Sequence, residues 1–394
     1  MLRILRGFVL LAIVIFAGCS SSGSQQAPPP IELRGVWLTE EEFATNREQM
    51  AATLQFLADH HFNAVFPIVW NGGTTLYPSK VMEEWFGKAS AWGVSERDPF
   101  AELIEEARKR GIAVIPTLGS SLGPLPPTDE RIARMKPNWA ARDRQGRMVV
   151  RDGVEWFNPI HPEVQEFVFA LLSEVVKTYD VAGVQGGDRL FAEPIEGGYD
   201  SITTALYRET HAGNEPPLDA NEIHWKYWRA VRINSAAERL YWRVKAFKAR
   251  MVMMWAPLIY RDALNSYLHD WRSWVNENPY GEFYADFISP LVRLTDSNSY
   301  KLLLATQHRD SMKIRQKKRY LLPGIILQEG QSRAEEEQLL EAIRYNRASG
   351  YNGEIIFPFA MLKKNGGKLA AALRRTHYSR AAQLPFAVAD AGTH

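Results

Sequence analysis

The chain has 394 residues, 46% of them hydrophobic and 23% charged, and its 47 basic against 45 acidic side chains leave a net charge of +2. That near-balance excludes a nucleic-acid partner held by bulk charge, and the composition is that of a globular protein. The single cysteine excludes an internal disulfide, whereas 12 Trp and 15 Tyr are a surplus that suits both a core and a groove stacking on sugar rings.

Residues 1–18 read as a signal peptide, because Arg3 and Arg6 precede an apolar run from Phe8 to Ala17 that is too short to cross a bilayer. The run closes with Phe16-Ala17-Gly18-Cys19, which resembles the lipobox of bacterial lipoproteins. The resemblance implies that Cys19 carries a lipid, that the chain is held at a membrane by that anchor, and, with Ser20 and Ser21 where an Asp would retain it, that it sorts to the outer membrane facing the periplasm. The stretch 19–30, lipidated cysteine followed by Ser, Gln and Pro, cannot bury a core and reads as a flexible tether.

Beyond the tether, short apolar runs alternate with helical stretches. "RGVWLT" (34–39) is strand-like, and residues 47–61 follow with Met50, Leu54 and Leu57 at helical spacing. "FNAVFPIVW" (62–70) is a second strand. "DPFAELIEEARKRG" (98–111) opens on Asp-Pro, lines Phe100, Leu103, Ile104 and Ala107 along one face and ends in basic residues and Gly, as a capped helix does. "IAVIPTLG" (112–119), a helix from Pro162 to Tyr179, and "VAGVQGG" (181–187) continue the series. Four more apolar runs, "MVMMWAPLIY" (251–260), "ADFISPLVRL" (285–294), "YLLPGIILQ" (320–328) and "NGEIIFPFAML" (352–362), bring the strands to eight.

Eight strands alternating with helices predict an α/β fold of the (β/α)8 TIM-barrel type over residues 31–365, with 366–394 as a C-terminal helix and tail. An open doubly wound sheet is the alternative, but no glycine-rich phosphate loop follows the first strand. In such a barrel the site lies where strands end, which puts Asp188, after "VAGVQGG", on its floor. Gly186 and Gly187 read as positions where a ligand or a neighbouring loop approaches the backbone closely.

The blocks "LRGVWLT", "FNAVFPIVW…TTLYPS", "DPFAELIEEARKRGI", "NPIHPEVQEFV", "GGYD" and "NGEIIFPF", taken in order, resemble the glycosyl-hydrolase-like family ten, bacterial barrels that include outer-membrane lipoproteins cleaving peptidoglycan glycan strands stripped of their peptides. The resemblance implies two consecutive acids at the end of the fourth strand, where this chain has Gly187-Asp188-Arg189. It also implies an aromatic-Glu pair after the eighth, where the chain has Phe359-Ala360, and Pro-Gln in the sixth, where it has Pro290-Leu291.

Those departures matter because glycoside hydrolysis ordinarily uses two carboxyl groups, about 5 Å apart for retention and roughly 6.5–9.5 Å for inversion. Asp188 is one candidate, and Glu329, after the seventh strand, is the best-placed second. Glu193 and Glu40 are the others. Glu329 also suits an acid at the start of a helix, and Glu193 and Glu40 suit solvated loops. Arg189 is a candidate for a substrate carboxylate or phosphate, with Arg151 and Arg293 behind it. Trp70, Tyr77, Trp255 and Tyr260, at or beyond strand ends, are candidates for stacking on sugar faces or for packing. His161, before a proline, reads as a helix cap; no second His or Cys is spaced to make a metal site, and no cofactor is called for. The basic run "KIRQKKRY" (313–320) reads as a solvated helix end or a contact to an anionic surface. Two functions from different classes follow: a hydrolase of cell-wall glycan with a relocated second carboxylate, or a glycan-binding lipoprotein that has lost the chemistry.

Overall fold

The computed structural model describes residues 27–71, 74–87, 97–119, 135–275, 283–309, 320–328 and 332–386. Cys19, Glu329, the stretch 313–319 and the tail beyond 386 lie outside them.

Eight parallel strand positions close on themselves. They are β1 (Leu33–Leu38), β2 (Ala64–Asn71), β3 in two pieces (Ala113–Val114 and Thr117–Leu118), β4 (Gly183–Gly186), β5 (Val252–Trp255), β6 in two pieces (Phe287–Ile288 and Leu291–Arg293), β7 (Gly324–Ile326) and β8 (Gly353–Phe357). Neighbours in sequence are neighbours in space, and β8 returns to β1 with Leu33 opposite Gly353. The two pieces of β6 divide the ladder pairing, Phe287 with Met254 of β5 and Leu291 with Gly324 of β7, while single bridges, Ile288 to Leu321 and Leu291 to Leu258, tie each piece to the other neighbour. Pro290 sits between them and has no N–H for a ladder, so the break falls where a central strand cannot run on. The fold is therefore the (β/α)8 barrel the alternation predicts.

Helices wrap the outside, and their local chemistry explains their limits. Asp98 caps Pro99–Arg108 by accepting from the Ala101 amide, and Phe100, Leu103, Ile104 and Ala107 are buried along one face. His161 caps Pro162–Thr178 through Nδ1, which accepts from the Glu163 amide at 3.1 Å. A 25-residue helix, Ile223–Phe247, follows β4. The eighth apolar run is shorter than its composition suggests, since the strand stops at Phe357 and Phe359–Arg375 is helical, with a non-helical kink at Lys364–Gly367.

Strand alternation sorts the core into two layers. Leu33, Trp37, Phe66, Ile68, Ile115, Val252, Met254 and Ile355 fill the barrel, while Val36, Val65, Val69, Val184 and Met253 pack outward under the helices. Trp37 lies across the barrel and donates its indole N–H to Gln185 Oε1 at 2.7 Å. At the floor, Arg34 is fully buried and bonded to Glu32 at 2.5 Å, and Arg347 reaches the same carboxylate at 2.6 Å. The C-terminal segment closes over this end: Glu32 donates its amide to the Gln383 carbonyl, and the Gln383 amide donates to Pro30, both at 2.9 Å.

Candidate active site

Asp188 lies two residues past the end of β4, inside the turn Gly187–Leu190 at the mouth of the barrel, and is 5% exposed. The turn is held by the Gly187 amide donating to Leu118 at 2.9 Å and the Leu190 amide returning to Gly187. Gly183 and Gly186 of β4 have a structural explanation that the sequence reading missed. A Cβ on Gly186 would lie 2.3 Å from the indole of Trp255, its partner on β5, and a Cβ on Gly183 would lie 2.6 Å from the Val252 carbonyl oxygen. The close approach expected at Gly186 is real, but what approaches is Trp255 and not a ligand.

The aromatic candidates part company. Tyr77 and Trp255 are completely buried and Trp70 nearly so, and none of the three offers a ring face to a sugar in this structure. Trp70 shares the parity of inward-facing Ala64, Phe66 and Ile68, yet a bulge between Ile68 and Trp70 turns it outward against Phe167. Tyr77 packs among Phe100 and Tyr179, and Trp255 against Phe191 and Trp274. Their place is the core. Tyr260 alone stays partly exposed; it opens the helix Tyr260–Tyr267, its hydroxyl donates to Asp270 at 2.8 Å and the Arg272 guanidinium covers its ring at 3.6 Å.

Between β3 and the helix Pro162–Thr178, residues 139–157 pack over the β4 loop. Their hairpin strands Val150–Arg151 and Val154–Glu155 bring Ala141, Val149 and Trp156 onto Ala192 as a small separate core. Arg189 lies over the Trp156 ring at 5.2 Å, with Nη2 4.0 Å from the Asp152 carboxylate at the hairpin tip. Arg151 is engaged with Glu196 at 3.1 Å and the Ser266 carbonyl at 3.0 Å. Arg293 ends the second piece of β6 and is exposed.

The other acids differ sharply in setting. Glu40 is exposed at the start of the short helix Glu40–Phe43 after β1, and partial desolvation, with the charge of Glu41, raises its carboxyl pKa. Glu193, read from sequence as a solvated loop acid, is fully buried instead. Burial pushes its carboxyl up to about 8 against the pull of the Arg229 guanidinium 4.0 Å away, and neither carboxylate oxygen makes a hydrogen bond of normal geometry. Burial likewise lowers Arg229, so desolvation outweighs the pairing for both groups. Arg229 donates to the carbonyls of Ile195 at 2.9 Å, Gly197 at 2.7 Å and Ala220 at 2.8 Å, and so laces the loop after Asp188 to the helix Ile223–Phe247. A Cβ on Gly198, at φ +89°, would lie 2.6 Å from Arg229 Cδ. The "GGYD" motif was the sequence signal for this packing. Among the described residues no group of His, Cys, Asp and Glu is arranged to hold a metal ion.

The Glu193 shift sets a pH signature. Its folded pKa is about 8 against an ordinary 4.5, so between those values the folded protein keeps a proton that the unfolded chain has released. The unfolded state then binds fewer protons, and stability falls as pH rises through that window. Glu193→Gln keeps the shape without the titration, so its melting temperature should decline less than that of the wild type from pH 5 to pH 8. Parallel melting profiles for the two proteins would show that Glu193 does not titrate there.

The chain is similar to several known proteins. The profile of the glycosyl hydrolase-like 10 family matches residues 32–295. A stretch of 174 residues is 27% identical to glycosyl hydrolase DigH of Escherichia coli K12 and equally to the Shigella flexneri protein of that name, covering 42% of this chain and 39% of the relative. The match thus spans about two-fifths of those curated relatives. The catalytic domain of a β-amylase from Paenibacillus polymyxa superposes with a TM-score of 0.63 at 8% identity, over 89% of this chain and all of that domain. An α-L-fucosidase from Paenibacillus thiaminolyticus superposes with a TM-score of 0.57 at 16% identity, over 88% of this chain and 50% of the other. At such identities the superpositions speak for the barrel alone, while the profile, spanning β1 to β6 with Asp188 inside it, speaks for descent: the chain belongs to the glycosyl hydrolase-like 10 family.

Proposed function

We propose that the protein is a glycoside hydrolase of peptidoglycan glycan strands, working from a lipid-anchored position at the outer membrane. The observation that carries the reading is Asp188: a nearly buried carboxyl at the mouth end of β4 in a barrel of this family. The name of the DigH relatives supports hydrolysis of a glycosidic bond. Glu329, which follows β7, is the second carboxylate of this proposal, and Glu40, with its raised pKa at the end of β1, is next in line. Glu193 serves the loop and not the chemistry, since it faces Arg229 and Gly197 beneath the surface.

Gly187, where the family resemblance implies an acid, favours a second reading, a glycan-binding protein that has lost turnover. Incubating the purified protein with peptide-free glycan strands and weighing the products decides between them. Shortened saccharides support the hydrolase; intact glycan that nevertheless co-sediments with the protein supports the binder.

The anchor has its own test. Cys19→Ala should leave an unprocessed precursor, because lipid attachment precedes leader cleavage in lipoproteins of this type. A correctly cleaved, lipid-free protein in the periplasm would sink that part of the proposal.

A further inference from the structure

Arg189 is an arginine with capacity to spare. A guanidinium that recognises a carboxylate does so with two parallel N–H bonds at roughly 2.7–2.9 Å. Here the nearest carboxylate oxygen among the described residues, Asp152 Oδ2, is 4.0 Å away and contacts one end of the fork. Arg189 is 16% exposed at its side chain, so it is largely withdrawn from water with no close anion among the described residues in return. The contrast with its neighbour is direct, because Arg151 is filled by Glu196, by the Ser266 carbonyl and by the Tyr267 ring at 4.8 Å.

Asp152 is not positioned by Arg189. It is the first residue of an Asp-Gly hairpin turn, with φ +55° followed by Gly153 at φ +74°, and its carboxylate is held by the Tyr267 hydroxyl donating at 2.5 Å. It is half exposed, at the tip of the hairpin that roofs the β4 loop. A carboxylate supplied by a surface turn thus stands in front of an under-used guanidinium, that of Arg189, which is one residue along the chain from Asp188.

We propose that Arg189 is the carboxylate-binding position of the glycan site and that Asp152 stands there as an internal substitute for an acidic sugar. The ligand class is a glycan carrying a free carboxylate. Peptidoglycan glycan without its peptides offers one lactyl carboxylate per disaccharide, whereas the chitin disaccharide has the same acetamido rings and none. The inference rests on the carbohydrate reading above and adds the residue that selects within it.

The test compares two probes on the full chain at low salt by calorimetry, the N-acetylglucosamine–N-acetylmuramic acid disaccharide and neutral chitobiose. The wild type should bind the acidic probe about 10-fold more tightly, the gain of one further charge-assisted contact. Arg189→Gln should erase that preference while leaving chitobiose affinity unchanged, and Arg189→Lys, which keeps the charge and loses the fork, should fall between. Asp152→Asn removes the substitute and should tighten the acidic probe a few-fold without touching the neutral one. Equal affinity of the wild type for both probes, equal weakening of both by Arg189→Gln, or looser acidic binding in Asp152→Asn would each overturn the assignment and leave the carbohydrate reading standing. Binding of neither probe would overturn both.

Discussion

Asp188→Asn should cut turnover of peptide-free glycan by roughly 10²–10⁴-fold while glycan affinity stays near that of the wild type. Asparagine keeps the outline of the side chain and its capacity to accept a hydrogen bond, but it can neither give up a proton nor attack an anomeric carbon. Because Asp188 is nearly buried, the melting temperature must be measured alongside. A large fall in stability with turnover intact would make Asp188 a structural acid of the loop, and the site assignment would fail with the fold untouched. The complement is Gly187→Asp, which restores the acid pair that the family resemblance implies. A weak parent gaining hydrolysis on that change marks a degenerate site, whereas a parent already robust draws its second carboxylate from elsewhere, with Glu329 to be tested first.

Gly186→Ala should destabilise the barrel by about 3 kcal/mol, the upper end of what overpacking costs. At an ordinary position the same change stiffens the unfolded chain and gains about 0.4–1 kcal/mol, so the sign here is set by contact alone. The added methyl would lie 2.3 Å from two ring carbons of Trp255 and 3.1 Å from Leu190 Cδ2. The indole has nowhere to retreat, with Phe191 at 6.4 Å and Trp274 at 4.6 Å between ring centres. The double change Gly186→Ala with Trp255→Leu should recover part of the loss, since it removes the ring that the methyl strikes. Denaturant unfolding of the two variants checks this, and a neutral or stabilising Gly186→Ala would show that the ring is not locked.

What the sequence discloses and what it hides follows from the range of the forces involved. Strands β1 to β8 and the helix after Asp98 were legible because apolar periodicity and caps are local. The placement of Asp188 followed from strand order. Trp70 was not legible, because a single bulge reverses the parity that assigns a side chain to the barrel or the helices. Tyr77 and Trp255 could not be assigned by strand position, since their burial depends on helices and loops remote in sequence. Glu193 and Arg229 were hidden for a different reason. Nothing in a helix rich in cations distinguishes Arg229 from Arg232 or Arg239; only the carbonyls of Ile195 and Gly197, brought in by the loop, set it apart.

The joining of Pro30 and Glu32 to Gln383 at the barrel floor fixes an orientation. The polypeptide enters β1 beside the Glu32–Arg34–Arg347 cluster, and Gln383 clips that entry on both sides. Asp188 is at the opposite rim, about 20 Å away along a six-residue strand. Residues 27–31 therefore meet the barrel at its base, and a pull applied through them would load the Glu32–Arg34–Arg347 cluster and the Gln383 clip before it reached the rim that carries Asp188.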